Sequence, residues 1–273
     1  MNIRKGLTYL LLGLVIILLL ITFLRLGTQS VVASYDKSNP VNLQDVPILN
    51  YHKVDILNHA LSVSPQEFEE QMEYLYQNGY HTITPDQLMA YLKSGKPLPD
   101  KPIMITFDDG YLDNYTNAYP IMKKYDFTAT IFIITNLIGQ DHRYMNWDQI
   151  KEMQHNGMVF GSHTANHKPL TSLTKEEVIN ELNESSEEMT RKLGKRPKYF
   201  AYPTGTYNTE IEEMVRAAGY KAAFTIEYGQ VGADSNVYLL QRIPIFKGQK
   251  TFRNFFIRLN GAPILEGLGI IKN

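Results

Sequence analysis

The sequence predicts an α/β, barrel-like domain of seven or eight strands, set behind one N-terminal transmembrane segment. Three observations carry this. Apolar runs of strand length alternate with helix-length stretches that open on Ser or Thr and close on Gly. Strands separated by helices imply parallel βαβ units. The alternation runs from about residue 47 to about 246 with no repeat or low-complexity stretch, and α/β barrels reach roughly 250 residues as one domain.

Composition removes several function classes. The 273 residues carry 27 basic and 28 acidic side chains, a formal charge of −1. A globally basic nucleic-acid binder would show a clear cationic excess, so no nucleic-acid partner is expected. With 44% hydrophobic and 20% charged residues the chain has the makings of a globular protein. Cysteine is absent, which excludes disulfides, Cys-based zinc or iron–sulfur sites and a Cys nucleophile.

Residues 7–26 (LTYLLLGLVIILLLITFLRL) are uncharged up to Arg25. About 20 residues at 1.5 Å rise span roughly 30 Å, the bilayer core. Arg4 and Lys5 precede the run, and positive flanks stay cytoplasmic. Residues 1–26 are therefore expected to anchor the chain once in the cell membrane, with the remainder extracellular. The competing expectation is a signal peptide cleaved near Val31-Val32-Ala33, giving a secreted protein. Residues 27–46 are polar and aperiodic and read as a tether. Residues 47–273 then form the domain.

Pro47–Val54 is an apolar strand. Ser64-Pro65-Gln66-Glu67 opens a helix, with Ser as N-cap and Pro in the first turn, and Gly79 closes it. Thr84-Pro85 and Gly95 repeat that start and stop. Ile103–Phe107 and Phe127–Ile134 are buried strands, the second rich in β-branched and aromatic residues. Trp147–Asn156 is helical up to Gly157, and Met158–Gly161 is a strand. Thr174-Lys175-Glu176-Glu177 is a capping box for a long helix ending at Gly194, whose acidic stretch Glu181–Glu188 is expected on a solvated face. Tyr199–Tyr202, Lys221–Thr225 and Leu239–Ile245 are strands, with a helix near Thr209–Ala218. The tail from Gly261 to Asn273 is apolar enough to pack.

In such barrels the site is built at the C-terminal strand ends. Asp108-Asp109-Gly110 follows one strand, and adjacent carboxylates repel unless something positive sits beside them. Ser162-His163-Thr164-Ala165-Asn166-His167 follows another, with its two His four apart, as on one face of a helical turn. Two imidazoles and a carboxylate make a three-ligand site with room for water. Pro203-Thr204-Gly205 follows a third strand as a turn that could offer a backbone N–H.

These segments together resemble the polysaccharide deacetylases, the NodB-homology or carbohydrate esterase family 4 enzymes. Thr106-Phe107-Asp108-Asp109-Gly110 is similar to their first motif and Ser162–His167 to their second. Arg196-Pro197 with Ala201-Tyr202-Pro203-Thr204-Gly205 resembles a diverged third, and the Trp147 segment resembles the lead-in to the His motif. The resemblance implies a distorted (β/α) barrel holding a divalent metal, usually zinc, with cobalt, nickel and manganese also suited to such ligands. It implies Asp109, His163 and His167 as metal ligands and Asp108 as general base. The metal would polarise an N-acetyl carbonyl, and the oxyanion would take an N–H, assigned here to the backbone of Tyr202.

Many members supply a general-acid His from a late strand in a Leu-x-His pattern. Here that stretch is Leu239-Leu240-Gln241-Arg242-Ile243-Pro244, and no His follows His167. Asn50-Tyr51-His52-Lys53-Val54 resembles the opening strand of surface deacetylases acting on poly-β-1,6-N-acetylglucosamine, which also lack the late His. That polymer is the expected substrate, with peptidoglycan N-acetylglucosamine as the alternative. A non-catalytic glycan-binding module and a non-haem iron oxygenase are the readings from other classes. His52, Trp147, Pro203 and Arg242 are candidate substrate contacts, and Tyr111, Tyr115, Tyr144 and Tyr207 are aromatics near the motifs. His59, His81, His142 and His155 have no motif context. No protein partner is predicted.

Overall fold

The structure, a computed structural model, describes residues 45–57, 59–246 and 255–261. The apolar segment 7–26, nearly all of the tether 27–46, and most of the tail 261–273 lie outside the described residues. Among the described residues no helix is long and apolar enough to cross a membrane.

The elements run β1 (Ile48–Tyr51), β2 (Lys53–Val54), β3 (Ser62–Val63), α1 (Pro65–Gln77), β4 (His81–Thr82), α2 (Pro85–Ser94) and β5 (Pro102–Phe107). A π-turn at Asn114–Ala118 then leads into α3 (Tyr119–Lys124) and β6 (Thr130–Ile133). Next come α4 (Trp147–His155), β7 (Val159–Ser162), α5 (Lys175–Leu193), β8 (Tyr199–Ala201), α6 (Thr209–Ala217), β9 (Ala222–Tyr228) and β10 (Leu240–Pro244). Residues 255–261 form a last helix, α7.

The sheet order β1-β10-β9-β8-β7-β6-β5, with β5 returning to β1, closes a barrel of seven parallel strands. β4 joins only the start of β5, and β2 pairs with β3 apart from the barrel. Leu240, Phe224, Phe132, Tyr199, Ile48 and Met104 come from strands all round the barrel yet form one buried cluster, so they meet in its interior. Leu88, Met89 and Tyr91 of α2 belong to the same cluster. Two other clusters fill the layer between barrel and helices.

The helix starts follow cap chemistry. Ser64, Thr84, Asn146 and Thr174 each form a reciprocal capping box with Glu67, Gln87, Gln149 and Glu177. The strand expected over 127–134 is shorter because its first N–H groups are spent elsewhere. Phe127 N–H donates to the Met122 carbonyl and Ala129 N–H faces Met158 Sδ. α3 has no side-chain cap and only 6 residues, too short to show a period. The acidic stretch of α5 is not a uniformly solvated face: Glu181 is 5% exposed and turns inward.

Candidate active site

Strand register sets the site. Tyr51 lies opposite Phe107, so His52 and Asp108 leave their strands at one level. Ile133 pairs with Ser162 and Ala201 with Phe224, which brings His163 and Tyr202 to the same end. There a cavity of 240 Å³ is lined by His52, Leu61, Asp108, Asp109, His163, His167, Tyr202, Thr204, Ile226 and Phe246.

Asp109, His163 and His167 converge within it. Asp109 Oδ1 is 3.5 Å from His163 Nε2 and 3.4 Å from His167 Nε2. It is buried with no hydrogen-bond donor of its own, and the three ligand atoms lie within 4.8 Å of one another. His163 Nδ1 donates to the Ala201 carbonyl at 2.8 Å, which leaves Nε2 as the free lone pair facing Asp109. Burial pushes the His163 imidazole down to about 3, so it stays neutral at physiological pH. Burial, with the Asp108 charge adding, pushes Asp109 up to about 6. An orphaned buried oxygen beside two neutral imidazoles fits a divalent cation.

Asp108 is built differently. Arg242 grips it bidentately, Nη1 to Oδ1 at 2.8 Å and Nη2 to Oδ2 at 2.7 Å, and Asn50 Nδ2 donates to Oδ2 at 3.0 Å. Burial would raise its pKa, but the Arg242 charge wins and holds the carboxyl well below the usual range. His52 Nε2 is 4.0 Å from Oδ2.

The loop 163–167 corrects the expected helical turn. It is irregular, with Thr164 at φ +67° and His167 at φ +59°. Asp109 and Thr204 are also left-handed, so four of the six non-glycine residues with positive φ among the described residues belong to this site. Such residues cost about 1–3 kcal/mol each and persist only where the surroundings over-determine them. Gly205 permits a close approach, since a Cβ there would stand 2.2 Å from Ile226 Cγ1.

Several expected roles change. The Tyr202 N–H donates to the Phe224 carbonyl at 3.0 Å, so it is not free for an oxyanion. Its hydroxyl donates to the Tyr238 carbonyl. Arg242 is fully buried and serves Asp108, Thr106 and the Thr225 carbonyl rather than substrate. Trp147 packs in the core with Lys192 over its ring, and Pro203 is buried outside the cavity lining. The Tyr111 ring is committed to a stack with Tyr144 and to Lys53 above it, while its hydroxyl hydrogen-bonds Asp109. Tyr115 bonds Glu152 and Tyr207 bonds Glu227. Sequence reasoning missed Asn50, Leu61, Ile226 and Phe246; only Asn50, inside the quoted opening strand, carried a signal.

A closed parallel barrel whose strand ends join a carboxylate–imidazole–imidazole cluster to a second, separately held carboxylate is the framework of a barrel enzyme able to hold a divalent metal. The chain matches the polysaccharide deacetylase family over residues 95–223. It is 37% identical over 203 residues to "Putative polysaccharide deacetylase YxkH" of Bacillus subtilis (strain 168), covering 74% of this chain and 72% of that protein. It is 32% identical over 247 residues to the poly-beta-1,6-N-acetyl-D-glucosamine N-deacetylase of Staphylococcus aureus (strain MSSA476), covering 78% and 84%. The Streptococcus pyogenes deacetylase PplD in complex with acetate superposes with a TM-score of 0.75 at 29% identity, covering 80% and 99%. The chain belongs to the polysaccharide deacetylase family and is a deacetylase.

Proposed function

We propose that this enzyme removes N-acetyl groups from an extracellular poly-β-1,6-N-acetylglucosamine and releases acetate. The carrying observation is the division of labour between adjacent carboxylates: Asp109 faces two imidazoles, while Asp108 is ionised and held by Arg242. The S. aureus relative, a poly-beta-1,6-N-acetyl-D-glucosamine N-deacetylase, and the Asn50–Val54 strand support the choice of polymer.

Asp109, His163 and His167 would hold the metal, expected to be zinc, which supplies Lewis-acid polarisation of the amide carbonyl and an activated water. Asp108 accepts the proton of the attacking water. His52, whose Nε2 faces Asp108 across the cavity, delivers a proton to the leaving amine, in place of the absent late His. Thr204, the turn residue lining the cavity at φ +56°, replaces Tyr202 as the source of the oxyanion N–H. Leu61, Ile226 and Phe246 give the acetyl methyl an apolar wall. We also propose that the domain lies outside the cell, anchored by residues 1–26 and tethered by residues 27–46.

The test is acetate release by the zinc-loaded protein from β-1,6-linked N-acetylglucosamine oligomers and, in parallel, from peptidoglycan fragments. Release from the first only, lost in Asp108→Asn, supports the proposal. Release only from peptidoglycan fragments moves the enzyme to cell-wall modification. No release from either, with zinc bound, returns it to a glycan-binding role.

A further inference from the structure

The loop between the two site histidines is held from outside the cavity. Its left-handed residues Thr164 and His167 cannot form helical hydrogen bonds in register, so its N–H groups turn to side chains. Thr164 N–H donates to Ser162 Oγ at 3.1 Å and His167 N–H to Thr164 Oγ1 at 2.9 Å. The Asn166 N–H instead crosses to α5, donating to Glu181 Oε2 at 2.8 Å, while Asn166 Nδ2 donates to Glu181 Oε1 at 2.9 Å. Asn166 Oδ1 accepts from Asn136 Nδ2 at 3.0 Å, which fixes which way the amide points. A second contact, Ser185 Oγ to Ser162 Oγ at 2.8 Å, ties the same helix to the residue before His163.

Glu181 is 5% exposed and lines no part of the site cavity. A carboxylate that deeply buried is costly unless its oxygens are satisfied, and here each oxygen accepts from the loop. We propose that Glu181 is a positioning residue for the metal pair: by clamping Asn166 it holds the strained loop that sets His167 against His163 and Asp109. This rests on the reading of Asp109, His163 and His167 as metal ligands. A glutamine would keep one acceptor and lose the other, while an alanine would lose both and cut Asn166 loose from α5.

The test is a chelator-competition titration of zinc with the full chain, its Glu181→Gln, Glu181→Ala and Leu182→Ala variants, each also unfolded in the metal-free state. Losing a group hydrogen-bonded directly to a ligand weakens metal binding by about 10–100-fold; Glu181 acts one residue further out, so Glu181→Ala is expected at the low end, about 10-fold, with Glu181→Gln between it and wild type. Leu182, 1% exposed on the same helix turn, tests packing alone: its truncation is expected to lower the unfolding midpoint and keep zinc affinity within about twofold. The proposal is overturned if Glu181→Ala binds zinc within about twofold of wild type, or if Leu182→Ala weakens zinc as much as Glu181→Ala does. Should Glu181→Ala fail to fold, Glu181→Gln decides, with a loss above about threefold in support and an unchanged affinity against. A wild type that takes up no zinc would remove the metal reading itself, which the variants alone do not.

Discussion

The two neighbouring aspartates show how a residue's chemistry is set by what surrounds it. Asp108 is ionised because a guanidinium fork and an amide hold both its oxygens. Arg242 is fully buried, and removing one partner of such a pair leaves an uncompensated charge, at about 3–5 kcal/mol. Arg242→Met should lose that much in urea unfolding, and the acid limb of its pH–rate profile should move up as Asp108 becomes easier to protonate. Arg242→Lys keeps the charge but not the fork and should recover only part of both. For Asp109 the sign is opposite. Burial raises its pKa to about 6, so in the metal-free protein it is protonated below that pH and charged above it. Metal uptake needs the carboxylate, so zinc affinity should strengthen as pH rises toward about 6, and binding near pH 5 should release about one proton from Asp109. Calorimetry in buffers of different ionisation enthalpy measures that release.

At the scale of elements, the strand ends bring the side chains together and the loops after them carry the strain. β7 runs directly into Ser162 and His163, and its Gly161 lies where a Cβ would stand 2.6 Å from the Phe132 ring and 2.9 Å from the Tyr199 carbonyl oxygen. Gly161→Ala must push β7 away from β6 or β8. Overpacking of this kind costs about 1–3 kcal/mol, and because His163 follows two residues later, weaker zinc binding should accompany the lower unfolding midpoint. The capping boxes behave otherwise. Thr174→Ala removes the acceptor for the Glu177 N–H at the exposed start of α5 and should cost about 1 kcal/mol while leaving zinc affinity unchanged. Helix starts were legible in the sequence because a cap is a local event, a Ser or Thr three residues before Glu or Gln. The left-handed backbone of Asp109, Thr164, His167 and Thr204 was not, because none of the four is a glycine, although a turn was expected at Pro203-Thr204-Gly205. In the His loop the neighbouring Asn166 is held from another element, by Glu181 of α5.

For the whole molecule, closure depends on β1. It pairs with β10 on one side and β5 on the other, so it joins the two ends of the sheet and contributes Asn50 and His52 to the site. A fragment beginning at residue 43 should unfold in one cooperative transition. A fragment beginning at residue 60 exposes two strand edges and the barrel interior, and circular dichroism with dye binding should show a non-native, aggregating chain.

What the sequence by itself determined was whatever is local or carried by type and order: the alternation of strands and helices, the caps, and the Asp-Asp and His-x-x-x-His motifs at strand ends. The closing number of strands was decided in three dimensions, since seven strands close only through the β1–β5 and β1–β10 registers. So were the partners of the motif residues. Arg242 stands 134 residues from Asp108 in the chain, and Glu181 reaches Asn166 from the next helix. Charge pairing inside a barrel depends on which side chains share its interior, and only the packed fold fixes that.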